Sequence, residues 1–125
     1  MATMTRAAAL MLGWLLCLAA SAIAGDGPHG GTLVSSGHHR LEVVAGAGGL
    51  EVYVTGEDGN PEETANAKAS AVVLADGKTA RIALSPAGGH VLKGTGDVTI
   101  GKGATIVLTL TMPGHAPEQS RLQID

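Results

Sequence analysis

The sequence predicts an all-β domain: an antiparallel β-sandwich, immunoglobulin-like, of seven or eight short strands, with a small open barrel as the alternative packing. Three observations carry this. Apolar and polar residues alternate at period two in short runs, as in Ala104–Thr111. Gly, Pro, Asn and Asp separate these runs every few residues. Good helix formers are concentrated nowhere beyond residue 24, and Glu62–Ala67 is too short to hold a helix alone.

Residues 1–24 read as a signal peptide rather than as part of the fold. Arg6 supplies a basic start, Ala7–Ala20 is apolar, and Ala22-Ile23-Ala24 offers the small residues that a signal peptidase reads. Cleavage is expected after Ala24, with Ala22 as second choice. The apolar run is short for an anchor, since a span needs about 20 residues. Leu16 stands before Cys17, where a lipoprotein signal wants a small residue. The expected product is a single domain over 25–125, periplasmic or secreted, with no membrane attachment after cleavage.

The strands follow in order. Thr32–Val34 is the first and stops at Ser35-Ser36-Gly37. His39–Ala45 is the second, with His39, Leu41 and Val43 on one face and His38, Arg40, Glu42 and Val44 on the other. After Gly46–Gly49, Leu50–Thr55 is the third and forms a hairpin with the second. Gly56–Pro61 is a turn, and 62–67 an irregular crossover. Lys68–Ala75 and Thr79–Ser85 flank Asp76-Gly77, a dipeptide suited to the positive φ of a tight hairpin. His90–Lys93 is a short sixth strand, Gly94–Gly103 mostly loop, Ala104–Thr111 a long strand and Ser120–Ile124 the last. The expected core is Leu41, Val43, Val52, Val54, Ile82, Leu84, Ile106, Leu108 and Leu122.

Composition excludes several functions. Without Arg6, seven Lys and Arg face eleven Asp and Glu. This mild acidity and the lack of a basic run argue against nucleic acid and against an anionic membrane surface. The single cysteine, Cys17, leaves with the leader, so no disulfide is expected. With no Phe, and with Trp14 in the leader, the core must rest on Val, Leu, Ile and Ala. Catalysis has no support: no serine sits in Gly-x-Ser-x-Gly, and no P-loop lysine follows the glycines. Glu57-Asp58 and Glu62-Glu63 read as solvated loop, and Glu57–Asn60 lacks the ligand alternation of a calcium loop. The chain is read as no enzyme.

The five histidines stand out. Neutral imidazole suits zinc, copper and nickel. His29 lies in a Pro/Gly arm, and His38 and His39 are adjacent. In a regular strand these two would point to opposite faces, unless Gly37 makes their position a turn or bulge. Glu42 shares the His38 face and would serve as a fourth ligand or orient an imidazole. His90 precedes a strand, and Met112 with His115 offers a thioether and an imidazole for a second site.

Several segments resemble a known group: His29-Gly30-Gly31, then Gly37–Val44, then Leu50–Thr55 leaving through Asp58-Gly59-Asn60-Pro61, with Leu84–Gly89 and Val91–Gly94. Together they resemble small exported domains found beside or within the periplasmic adaptor (membrane-fusion) proteins of heavy-metal efflux systems, over about residues 29–122. An adaptor also has a helical hairpin and further β-domains, for which this chain has no room. The resemblance implies an exported β-sandwich engaged in metal handling, with a metal-efflux complex component as partner. By position it carries over His29, His38, His39 and Glu42.

The expected function is therefore a periplasmic metal-binding or metal-efflux accessory using His29, His38, His39 and Glu42 to hold a divalent transition metal: zinc, copper or nickel. The alternative is a non-enzymatic β-sandwich interaction module without metal.

Overall fold

The computed structural model describes residues 27–124; the expected signal peptide, 1–24, and its expected cleavage site lie outside the described residues. The chain forms β1 (Thr32–Ser36), β2 (His39–Gly56), β3 (Lys68–Ala75), β4 (Lys78–Pro86), β5 (Val91–Thr99), β6 (Thr105–Thr111) and β7 (Glu118–Gln123). All pair antiparallel in one sheet of order β1-β2-β5-β4-β3-β6-β7. The all-β antiparallel class is thus as the alternation predicts.

β2 is one run of extended backbone, but it is not straight. Thr55 Oγ1 donates to the Arg40 carbonyl at 3.2 Å, although 15 residues separate them. A straight strand would hold these residues about 50 Å apart. β2 therefore doubles back at its glycine-rich middle, where Gly48 has φ 76°. Its first arm pairs with β1 and its second with β5. Counting both arms, the sheet has eight strands, and the hairpin expected from the sequence is present.

Two turns are set by local chemistry. Asp76 and Gly77 both take positive φ, 51° and 75°, which a two-residue hairpin of this hand requires. Gly37, with φ 58°, turns β1 into β2. That places His38 in the turn rather than in the strand.

One expected loop is a strand. β5 runs on to Thr99 through Gly94 and Gly96. These glycines mark a close approach, not a break: a Cβ on Gly94 would collide with the Ala83 carbonyl and the Ile82 side chain. β4 meets β5 there through only two residue pairs, Ser85–Lys93 and Pro86–Leu92. The sheet turns a corner at that ladder.

The sheet curls until its two edge strands, β1 and β7, touch without a ladder between them. The result is a nearly closed barrel with an unsealed seam. Of the two expected packings, its connectivity is that of the open barrel. The interior is aliphatic: all nine expected core residues are buried, joined by Leu50, Val73, Leu92, Leu110 and Met112. The crossover after β2 is pinned by Thr64. This fully buried residue places its hydroxyl 3.1 Å from the Gly89 carbonyl and 3.0 Å from that of Val91.

Candidate functional site

The five histidines fall into two groups on this frame. The first is built on the arm Gly27–Gly31. Glu42 projects from β2 on the face away from the core, yet the arm covers it and it is only 4% exposed. Both its oxygens are engaged. Oε1 lies 2.7 Å from His29 Nδ1, and Oε2 accepts the backbone N–H groups of His29 at 2.7 Å and Gly31 at 2.9 Å. Burial by itself raises the Glu42 pKa. The His29 ring, the two N–H groups and the histidine's charge outweigh it, so the carboxyl sits below its ordinary value. The His29 ring stacks on Tyr53, with centroids 3.7 Å apart and planes 4° from parallel. His90 approaches the same tyrosine at 5.6 Å. Burial and the Glu51 carboxylate raise the Tyr53 pKa, so it stays a neutral phenol.

The second group gathers where the β1–β2 turn, the loop after β2 and the β6–β7 turn meet at one end of the barrel. His39 is buried on the same face of β2 as Leu41 and Val43. Its Nδ1 lies 2.8 Å from Glu118 Oε1 and its Nε2 3.3 Å from Glu62 Oε1. Glu118, at the start of β7, also accepts the His38 backbone N–H at 3.0 Å. A side chain on Gly37 would collide with this carboxylate, so glycine is required there twice, for φ and for space. Burial raises the Glu118 pKa, but the His38 N–H, the His39 ring and the charges of both histidines more than offset it, and the net shift is downward. The His115 ring stands edge-on to His39, with centroids 5.3 Å apart and planes at 82°, and lies 5.9 Å from the His38 ring. Glu57 Oε1 is 3.6 Å from His38 Nδ1, both exposed. His38, His39, Gly56, Glu57, Asp58, Glu62 and His115 line an open cavity of about 460 Å³.

The four sequence candidates are thus divided. His29 and Glu42 pair with each other, and His38 and His39 engage Glu57, Glu62 and Glu118. Met112 is a core side chain, whereas His115, three residues on, is exposed. Glu57, Glu62 and Glu118 are the site residues that sequence reasoning missed as ligands, whereas His115, expected to act with Met112, lies beside His38 and His39 instead. Their only signal is residue type, because they come from turns far apart in the chain. Among the described residues, no three of His, Cys, Asp or Glu already surround one point as a metal would require.

Comparison with family models, with curated proteins and with solved structures finds no match.

Proposed function

We propose that this chain is a non-enzymatic, periplasmic metal-binding accessory that takes up a divalent transition metal, zinc, copper or nickel, and hands it to a metal-efflux component. The observation that carries the reading is the second group: three imidazoles and four carboxylates drawn from separate turns to one open end of the barrel. Imidazole and carboxylate together suit borderline divalent ions. The open cavity suits transfer better than permanent retention. The arm histidine, His29, belongs to the fold in this reading, because its Nδ1 serves Glu42 and its ring covers Tyr53.

Calorimetric titration of the purified protein with zinc, copper(II) and nickel tests this. Saturable binding of one ion is expected at micromolar metal, which corresponds to about −8 kcal/mol. Affinity should fall at mildly acidic pH, where protons compete for imidazole. Absence of saturable binding for all three metals ends the metal reading.

A second reading has its own observation. Among the described residues, β1 and β7 both present unpaired strand edges at the seam, and Leu33 on β1 is 37% exposed. An extended segment of a partner protein would add to such an edge. Retained binding of an efflux component after removal of all metal would favour this interaction module.

A further inference from the structure

We propose that the metal is held between His39 Nε2, Glu62 and His115, with Glu118 as the residue that aims His39. This rests on the metal-binding reading above and names its ligands.

The distances fit such a site. On a tetrahedral zinc-like ion, with ligand bonds of about 2.0–2.1 Å, neighbouring donor atoms lie about 3.3 Å apart. His39 Nε2 and Glu62 Oε1 are 3.3 Å apart. That is long for a charge-assisted hydrogen bond, which runs at about 2.7–2.9 Å. Two imidazoles on one such ion have ring centres about 5 Å apart, and those of His39 and His115 are 5.3 Å apart. The third donor, His115, is an exposed turn residue that would have to turn its ring toward the other two, since no three such groups among the described residues already converge.

The ring orientation points the same way. Glu118 Oε1 meets His39 Nδ1, so Nε2 is the nitrogen turned toward Glu62 and the cavity. A cation between Nε2 and this carboxylate, a proton or a metal ion, makes the pair attractive. A carboxylate behind a ligating imidazole is the usual device for fixing its tautomer and its direction. Ser36, opposite His39 in the β1–β2 ladder, is buried, and its hydroxyl has no partner among the described residues. His38, exposed at the cavity rim, is placed to receive the ion first.

Cobalt(II) is the probe, because a tetrahedral cobalt site absorbs visibly. Wild type, Glu62→Gln, His115→Ala, Glu118→Gln and His29→Ala are titrated with cobalt(II) and then displaced with zinc. Circular dichroism checks that each is folded. Glu62→Gln and His115→Ala touch only loop and turn positions, so both should stay folded and lose at least about tenfold in affinity. Glu118→Gln should lose about ten- to a hundredfold. At saturation its cobalt(II) absorption should also differ from that of wild type, because a misaimed His39 alters the geometry at the ion, which a purely structural role would not do. His29→Ala should bind as wild type does. If wild type binds and neither Glu62→Gln nor His115→Ala weakens it, this ligand set is wrong while metal binding stands. If wild type does not bind, both fail.

Discussion

Glu42 accepts three hydrogen bonds on two oxygens while buried beneath the arm. With the stacking of His29 on Tyr53, it holds Gly27–Gly31 to the outer face of β2. Replacing it with Gln leaves an amide N–H₂ facing donors, and the arm should come loose at a cost of about 1–3 kcal/mol. Urea denaturation reads this as a lowered midpoint. Glu51→Gln, which removes a surface pair with Lys93, should cost under about 1 kcal/mol. The pH dependence has a definite sign. The folded pKa of Glu42 lies below its ordinary 4.5. Its contribution is therefore complete above the unfolded value and is lost as pH falls through the lower folded one. Wild type should lose more stability than Glu42→Gln on acidification below about pH 4.5, and parallel losses would show that Glu42 is not the anchor. The sequence made Glu42 visible as a polar residue in a strand and as one able to orient an imidazole. That the imidazole is that of His29 depends on the arm folding back, which alternation cannot report.

The elements were legible where local chemistry decides them. Lys68–Ala75 has the bounds its alternation gives, and Asp76-Gly77 turns because both residues tolerate positive φ. β5 was not, because glycine signals both a turn and a close approach, and only the neighbour tells which. Gly94 lies against the backbone of β4. Gly94→Ala should therefore destabilise by about 1–3 kcal/mol. Gly101→Ala, which meets nothing within 4 Å, should stay within about 0.5 kcal/mol of wild type. Similar denaturation midpoints for the two variants would mean that β5 is not pressed onto β4. In β2, period two gave the faces of both arms correctly because its polar and apolar residues alternate on either side of the glycine-rich bend.

At the scale of the molecule, an aliphatic barrel without a single Phe depends on many modest side chains. Leu108, 1% exposed, should cost about 2–5 kcal/mol when truncated to Ala. The barrel's weak line is the β1–β7 seam, where Glu118 reaches across to His38 and His39 in place of a ladder. An ion held by His39, Glu62 and His115 would tie three turns together at that end. At a hundred times its dissociation constant it should add about 2.7 kcal/mol of stability. This gathering was hidden in the sequence, since His39, Glu62 and His115 share no spacing and meet only because the sheet curls. His38 and His39 were visible as adjacent histidines, and Gly37 as the residue that would let them serve one place. The most direct test follows the ring nitrogens of all five histidines by nitrogen-15 NMR while zinc is added. Before metal, His39 should be the tautomer protonated at Nδ1. With zinc, the rings of His39 and His115 should shift together and saturate, with His38 following and His29 and His90 unmoved. Shifts at His29 and His90 with a silent His39, or no saturating shift at all, would contradict the account.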